Sequence, residues 1–350
     1  MFRFRTTVIR YELLPVACVG GFAIGSVAIF NSTSGSTVID VAGEEFAAEH
    51  AFFEHPRYLD LGPISRGAFG DVRRVQDTRS SRPLAMKVMR RCIARESRPC
   101  ARFATEIEIM TSLQHPGVLP AHDNGEFDDG RLWFTMPEVR GRTLAVVLDE
   151  LNSLEAHHGF RSPSFRQALG SLAQICQIVA FAHEQGIVHR DVKPKNTMVA
   201  DGGEMFVIDW GVAKRLMSNS HAGSPNAKST IRQAFTEPGE VLGTPAYMPP
   251  EQASGDISLQ SSASDVYSLG AVLYHLLAGL PPYEGTRAAV LARIKRGAPL
   301  PISARVGAEK APPKELVALC ESAMQRAPAK RITGALRIAQ GILEWLDGSN

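Results

Sequence analysis

The sequence contains few cysteines, little charge imbalance and no internal repeat, and each absence excludes a class of protein. Its 350 residues include five scattered cysteines with no C-x-x-C pair, so neither a structural zinc site nor a disulfide framework is expected. A net charge of +2 without basic runs argues against a nucleic-acid partner. An apolar content of 44% predicts a globular chain, and a reduced, cytoplasmic protein is expected.

A hydrophobic run of membrane-spanning length is also missing. The apolar stretch at residues 16–30 follows three arginines, a pattern that could indicate a membrane anchor or an export signal. As a helix it would span only about 22 Å, less than the ~30 Å of a hydrocarbon core. Residues 1–57 are therefore predicted to form a poorly ordered extension, with a short membrane-associated segment at 16–30 as the alternative.

From residue 58 onward, the pattern changes to short strands followed by helices. Strands are predicted at 58–64, 71–77, 83–89, 119–126 and 131–137, and helices at 103–114, 167–185, 266–278 and 313–324. Strands first and helices later predict an α+β protein with a sheet-based lobe and then a helical lobe.

Two features of the sheet region point to phosphate chemistry. Gly67 and Gly70 lie in a turn between two strands, where glycines let backbone N–H groups approach phosphate oxygens; such a pair is also common in plain hairpins. Lys87 lies on an apolar strand and needs an acidic partner, because an unpaired buried ammonium is costly. Glu106, on the next helix, is the natural candidate.

The most informative stretch is 188–196 (VHRDVKPKN), followed by 206–211 (FVIDWG). It combines a carboxylate able to accept a proton, a cation two residues later, an amide oxygen and a second carboxylate after an apolar strand. Phosphoryl transfer requires a hard cation with oxygen ligands, positive charge on the phosphate and an oriented hydroxyl. A solvated loop could contain any one of these groups, but not all of them in this order.

With these motifs the chain resembles the eukaryotic-like Ser/Thr protein kinase family, in particular its bacterial branch, over residues 58–346. The resemblance implies a two-lobed α+β fold, with a five-stranded sheet and one main helix at 58–136, a linker at 137–141 and a mostly helical lobe at 142–346. Residues 347–350 form a tail. ATP and Mg²⁺ are the implied cofactors, and the implied reaction transfers the γ-phosphoryl group to Ser or Thr hydroxyls of proteins, including the chain itself.

The resemblance also implies a role for each charged group. Asp191 is the expected base, and Lys193 is expected to contact the transferred phosphate. Lys87, held by Glu106, is expected to anchor the α- and β-phosphates. The expected Mg²⁺ ligands are Asn196 and Asp209. The expected nucleotide contacts are Ser65, Gly67, Gly70, Val72, Ala85, Lys87, Met136, Pro137, Val139 and Met198.

Five further matches carry structural or regulatory expectations: Arg190, Thr244, Glu251, Asp265 and Arg331. Arg190 resembles the arginine of kinases whose activation segment is held by a phosphate. Thr244 is expected to brace the catalytic loop, Glu251 to pair with Arg331, and Asp265 to lie on the helix that anchors that loop.

Two segments are expected to be insertions. The middle of the activation segment, 218–240, is polar and predicted to be a mobile loop, in which Ser229, Thr230 and Thr236 are candidate phosphorylation sites. Residues 149–166 resemble a modest insertion between helices.

Three departures from the family pattern leave an alternative open. Ser65 replaces a glycine, Trp210 a phenylalanine and Pro249 an alanine, so a pseudokinase-like nucleotide-binding scaffold is the first alternative. None of the three removes a charge that the reaction needs. A small-molecule kinase of related fold is the second alternative, disfavoured by residues 243–251 (GTPAYMPPE). Lys195 stands where kinases of basic substrates often carry glutamate, which disfavours an arginine-bearing substrate.

Overall fold

The computed structural model describes residues 52–67, 69–94, 96–154, 159–216, 245–306 and 311–348. Nearly all of them belong to the compact unit Glu54–Asn350. Several predicted features lie outside the described residues, namely the apolar segment 16–30, Thr244, and the phosphorylation candidates Ser229, Thr230 and Thr236. None of the described helices is long and apolar enough to span a membrane.

The described elements follow the predicted order of strands before helices. The strands are β1 (Tyr58–Arg66), β2 (Gly70–Asp77), β3 (Pro83–Met89), β4 (Asp123–Glu126), β5 (Leu132–Pro137), β6 (Gly141–Thr143), β7 (Ile187–Val188), β8 (Thr197–Ala200), β9 (Met205–Val207) and β10 (Lys214–Arg215). The helices are α1 (Ser97–Ser112), α2 (Leu144–Leu154), α3 (Pro163–Glu184), α4 (Pro250–Ala253), α5 (Ser262–Ala278), α6 (Arg287–Arg296), α7 (Lys314–Ala323) and α8 (Ala335–Gly348).

The first lobe is an antiparallel five-stranded sheet in the order β1-β2-β3-β5-β4, packed against α1. Phe103 of α1 and Phe134 of β5 join the two layers with ring centroids 5.3 Å apart. The strand predicted at 119–126 is shorter than expected and begins at Asp123, because the chain before it turns towards the second lobe. There Val118 forms a parallel bridge to Val207 of β9. The α+β class is confirmed.

The second lobe is built on buried helices. α5 is buried over almost its whole length and packs against α3 and α7, while α3 also packs along α8. α3 begins where Ser162 caps it, accepting a hydrogen bond from the backbone N–H of Phe165 at 3.2 Å, and Pro163 occupies the first turn.

Both ends of the expected insertion at 149–166 belong to helices. α2 continues to Leu154, and α3 already starts at Pro163. Leu148 and Leu151 are buried on the inner face of α2, and their spacing of three residues is that of an amphipathic helix.

The end of the predicted extension is attached to the sheet. Arg57 forms ion pairs with Asp77 at the end of β2 and Asp123 at the start of β4, at 2.9 and 3.0 Å. Nδ1 of His55 accepts hydrogen bonds from the backbone N–H groups of Arg57 and Tyr58. Arg57 thus contacts the sheet from just before the predicted boundary at residue 58.

Candidate active site

A cleft of about 730 Å³ opens between the five-stranded sheet and the helical lobe. Every residue expected from sequence to touch the nucleotide, the metal or the acceptor hydroxyl lines it. The floor includes β8 and the catalytic loop that joins β7 to β8, and the roof includes β1 to β3. The chain therefore brings residues from both halves of its sequence to one cavity.

Lys87 lies at the centre of an ion cluster inside this cleft. Its Nζ is 2.7 Å from both carboxylate oxygens of Glu106 and 3.3 Å from Oδ1 of Asp209. Burial alone would lower the pKa of Lys87, but the charges of Glu106 and Asp209 outweigh it and raise the pKa above its ordinary value. The ammonium is therefore charged and held in place by two carboxylates from different lobes.

Asp209 follows β9 in a backbone conformation that non-glycine residues seldom adopt, with φ of 64°. This turn aims the carboxylate back into the cleft. The positive charge of Lys87 lowers the pKa of Asp209 below its ordinary value, and the charges of His189 and Lys193 lower it further. A Cβ on Gly211 would lie 3.3 Å from Oε2 of Glu106, so a glycine here leaves room for the cluster.

The aromatic side chain after this aspartate is fully enclosed. Trp210 is 1% exposed, and its ring packs at a tilt of 53° against His189 with centroids 4.5 Å apart. Its indole N–H donates to the carbonyl of Val207 at 3.1 Å, which supplies the partner that a buried tryptophan needs. Tryptophan is thus accommodated at this position without displacing Asp209 from the cleft.

The catalytic loop holds Asp191 between a cation and an amide. Nζ of Lys193 is 2.6 Å from Oδ2 of Asp191. Nδ2 of Asn196 donates to the same oxygen at 3.1 Å and to the Asp191 carbonyl at 3.0 Å. The three side chains form one network within a stretch of six residues.

The buried carboxylate of Asp265, on α5, fixes this loop from below. It accepts hydrogen bonds from the backbone N–H groups of His189 and Arg190, both at 2.8 Å, and lies 2.8 Å from Nε2 of His183. Burial would raise the pKa of Asp265, but the bonds to His183 and the charge of the nearby histidines lower it below the ordinary value. Arg190 has φ of 64°, and its strained backbone is held by these contacts.

The glycine-rich turn closes the cleft from above. Ser65 lies in β1 and pairs with Val72 of β2, so the serine that replaces a glycine occupies ordinary extended backbone. Gly70 is more restricted, because a Cβ there would lie 2.8 Å from the carbonyl oxygen of Val88. Only glycine fits at position 70 without a backbone shift.

A second ion pair lies deep in the helical lobe. Both guanidinium NH groups of Arg331 contact Glu251 oxygens at 2.7 Å, and the two side chains are almost completely buried. The hydroxyl of Ser264 also donates to Glu251 at 2.8 Å. Pro249 precedes α4 in extended backbone and leaves this pair intact.

Arg190 is engaged inside the lobe in this structure. Its Nε donates to the carbonyl of Val212 at 2.6 Å, and NH1 lies 3.3 Å from Oε1 of Gln260. Its own carbonyl accepts from Nε2 of Gln252 at 2.8 Å. These bonds connect the catalytic loop to the residues on both sides of the activation segment.

The donor atoms of the cleft suit a hard divalent cation bound together with phosphates. Asp209 supplies a carboxylate, and Asn196 uses its amide nitrogen towards Asp191, which leaves its amide oxygen for a metal. The described residues contain no group of three or more His, Cys, Asp or Glu arranged for a metal. Two protein oxygens fit Mg²⁺, which commonly takes its remaining ligands from substrate phosphates and water.

Sequence reasoning missed two contacts of the cleft. The linker residue Glu138 is paired with Arg74 of β2, and Arg287 of α6 lines the same cavity as the catalytic loop. Glu138 belongs to the predicted linker 137–141, but its pairing with Arg74 joins segments distant along the chain, and Arg287 belongs to no local motif. No local sequence signal indicates them.

The fold and the cleft are those of a protein kinase domain. The protein kinase domain family matches residues 58–344, and the chain belongs to that family.

Bacterial serine/threonine-protein kinases are among its relatives. The chain is 32% identical over 294 residues to the serine/threonine-protein kinase PknB of Mycolicibacterium smegmatis, covering 83% of this chain and 43% of the relative. It is 35% identical over 240 residues to a probable serine/threonine-protein kinase of Streptomyces coelicolor, covering 66% and 32% of the two chains. The chain thus spans less than half the length of these relatives. The expected resemblance to bacterial Ser/Thr kinases is confirmed.

Proposed function

We propose that the protein is an ATP- and Mg²⁺-dependent serine/threonine protein kinase that also phosphorylates itself. The observation that carries the proposal is the convergence of Lys87, Glu106 and Asp209 with the Asp191 network in one cleft. The spacing of these residues in the sequence, or a single ion pair, would not be sufficient support for this function. The names of the bacterial relatives support the serine/threonine class.

Each charged group has a distinct task. Lys87, held by Glu106, binds the α- and β-phosphates of ATP. Asp209 and Asn196 would hold Mg²⁺, which when bound neutralises phosphate charge. Lys193 offsets the negative charge that develops on the γ-phosphoryl group.

Asp191 orients the acceptor. Its carboxylate takes the proton of the Ser or Thr hydroxyl while the hydroxyl oxygen forms a bond to the γ-phosphorus. The bond between that phosphorus and the β–γ bridging oxygen breaks, and its electron pair leaves with ADP. Lys193, with its Nζ 2.6 Å from Oδ2 of Asp191, holds this carboxylate in place.

The adenine would lie between the roof and the floor of the cleft, against the linker. Val72 and Ala85 line the roof and Met198 the floor. The backbone of Pro137 and Val139 offers a carbonyl and an N–H to the base. Pro137 lacks an N–H, which matters little where only a carbonyl is needed.

Two variants test the proposal. We expect Lys87→Met and Asp191→Asn each to reduce phosphate incorporation by at least about a hundredfold, while circular dichroism and thermal unfolding show a folded chain. Arg337→Met, an exposed change on α8, is the matched control and should retain full activity. Undiminished incorporation by either cleft variant would overturn the assigned roles.

The remaining alternative is a nucleotide-binding scaffold without transfer. It is motivated by Ser65, Trp210 and Pro249, yet none of these disturbs the charged groups of the cleft. A thermal shift on addition of ATP and Mg²⁺, together with radiolabel transfer from ATP, separates the two functions. Stabilisation by nucleotide with no transfer to any protein would favour the scaffold.

A further inference from the structure

Two cysteines lie at the two ends of the connection between β3 and α1. Cys92 lies in the turn that follows β3 and is exposed, and Cys100 lies in the first turn of α1 and is partly exposed. Neither of them lines the active-site cleft. The proposed phosphoryl transfer therefore gives no task to either thiol, although both are close to the elements that carry Lys87 and Glu106.

The connection folds back on itself, so that the sulfur of Cys100 contacts residues on both sides of Cys92. Its Sγ lies 3.2 Å from the carbonyl oxygen of Ala94 and 3.8 Å from Sδ of Met89. A disulfide requires the two Cα atoms to lie about 4.4–6.8 Å apart. Since Cys92 lies between two residues that already contact the Cys100 sulfur, a local shift of the turn is enough to bring the two sulfurs together.

The four cysteines that the structure describes differ in their access to solvent. Cys176 and Cys320 are buried, and burial raises the pKa of both thiols. Burial also raises the pKa of the Cys100 thiol. Because oxidation of a thiol depends on its exposure, the exposed Cys92 is the sulfur that an oxidant in solvent reaches first. Cys100 is then placed to react second.

We propose that Cys92 and Cys100 form a reversible disulfide when a hydroperoxide is present. The thiolate of Cys92 attacks one peroxide oxygen, the O–O bond breaks, and hydroxide leaves with the electron pair, which makes Cys92 a sulfenic acid. The sulfur of Cys100 then bonds to that of Cys92, and the sulfenic hydroxyl leaves as water with the Cys100 proton. For hydrogen peroxide, two thiols and one peroxide thus give one disulfide and two molecules of water. A thiol reductant reverses the bond, which distinguishes it from a structural disulfide framework.

The bond acts on the glycine-rich turn through two arginines. Phe69 lies in that turn and lines the cleft. The N–H of Arg90 donates to the carbonyl of Phe69 at 3.3 Å, and the guanidinium of Arg102 lies 5.7 Å from the centre of the Phe69 ring. Arg90 is two residues before Cys92, and Arg102 is two residues after Cys100. Formation of the bond moves one end of the connection, and either end carries a contact to Phe69.

This effect on the cleft rests on the proposed function, since it concerns the nucleotide side of the same site. Weaker contacts to Phe69 loosen the turn that covers the phosphates. Because each contact is a modest one, the oxidised chain should show a KM for ATP about two- to fivefold higher than the reduced chain, with kcat nearly unchanged. Formation of the bond itself does not depend on the kinase assignment.

The first measurement maps the cysteines of the full chain by mass spectrometry after treatment with hydrogen peroxide. Cleavage by trypsin after Arg91, Arg95 and Arg102 releases the two cysteines in separate peptides, 92–95 and 96–102. We expect the oxidised digest to contain these peptides joined, with a mass lower by two hydrogen atoms than their sum. Dithiothreitol should separate them again.

The second measurement determines KM for ATP on the same samples. The rise on oxidation should be reversed by dithiothreitol, which does not reduce methionine sulfoxide and therefore excludes Met89 as the cause. Cys92→Ser and Cys100→Ser should each remove the joined peptide and make KM for ATP insensitive to peroxide. Serine at position 100 keeps a donor for the carbonyl of Ala94. Cys18→Ser, at a cysteine outside the described residues, is the matched control and should keep both responses.

The contrary outcomes are distinct from failure of the kinase assignment. Absence of the joined peptide, a bond between Cys18 and Cys92, or a disulfide between two copies of the chain would overturn the inference. A joined peptide with an unchanged KM for ATP would overturn the effect on the glycine-rich turn. In each of these cases the reduced chain still transfers phosphate. No transfer by the reduced chain would overturn the proposed function, while the mass measurement would still decide whether the bond forms.

Discussion

Arg74 of β2 and Glu138 of the linker between the lobes are joined by two hydrogen bonds of 2.9 Å from Nε of the arginine. The carboxylate is 9% exposed and the guanidinium 47%. Arg74 is two residues from Val72 on the strand that covers the cleft, so the pair connects the roof of the cleft to the linker between the lobes. It also lowers the pKa of Glu138 below the ordinary value.

The first prediction concerns this pair. Arg74→Met removes the bridge between β2 and the linker, and we expect KM for ATP to rise by about two- to fivefold with kcat nearly unchanged, since a half-exposed ion pair contributes at most about 1 kcal/mol. Steady-state kinetics at varied ATP measures this. Arg82→Met, in the exposed turn before β3, is the control and should leave KM for ATP as it is. A drop in kcat with constant KM would contradict the assignment.

The second prediction concerns Arg331 and Glu251. Arg331→Met leaves the buried carboxylate of Glu251 without its cation, which in buried pairs costs about 3–5 kcal/mol of folding free energy. Urea unfolding should show this loss as a lower midpoint. Arg337→Met, on the exposed face of α8, should change stability by less than about 0.5 kcal/mol. Equal midpoints for the two variants would contradict the prediction.

The third prediction concerns Trp210. Trp210→Phe keeps an aromatic ring but loses buried volume and the hydrogen bond to Val207, so we expect a loss of about 1–3 kcal/mol in stability. Activity at a temperature well below unfolding should stay within about threefold of the parent, because Asp209 is not displaced. Trp345→Phe, at a partly exposed position of α8, is the matched control. Abolished activity in a stable Trp210→Phe chain would mean that the indole has a direct task.

The fourth prediction is a pH dependence. Burial lowers the pKa of His275 to about 4, while in the unfolded chain it has its ordinary value near 6.5. Below pH 6.5 the unfolded chain therefore binds the proton more readily, and stability falls as the pH decreases towards 4. Tyr247, whose hydroxyl lies 2.8 Å from Nδ1 of His275, contacts the neutral ring.

The measurement compares His275→Gln with the parent at pH 7.5 and pH 5. The difference in free energy of unfolding between the parent and the variant should be smaller at pH 5 than at pH 7.5 by up to about 2 kcal/mol. The parent loses this stability because its unfolded chain takes up a proton at position 275, whereas glutamine binds no proton. Exposed His122→Gln should show no such change between the two pH values. If the parent instead became more stable relative to His275→Gln at pH 5, the lowered pKa of His275 could not be the cause of the pH dependence.

The sequence predicts the sheet and the cleft residues because their signals are local. Short segments with aliphatic residues, bounded by turn residues, mark β2 and β3, and each charged group of the catalytic loop lies within a few residues of its neighbours. The pairing of Lys87 with Glu106 could be predicted from the sequence, because a buried ammonium needs a carboxylate and the next helix contains one.

What the sequence did not predict depends on contacts between distant segments. His183 and Asp265 are 82 residues apart, and Arg74 and Glu138 are 64 apart, so no spacing rule connects them. The bounds of α2 were not predicted either, because the burial of Leu151 depends on how the second lobe packs.

The bonds from Asp265 to the backbone of His189 and Arg190 have a consequence for motion. They tie the loop that carries Asp191 to α5, so we expect a change in the width of the cleft to alter the separation between Lys87 and Asp191 more than the arrangement around Asp191 itself. The two loop amides should therefore exchange with deuterium only when the helical lobe unfolds, whereas amides of the glycine-rich turn should exchange at the rate of cleft opening.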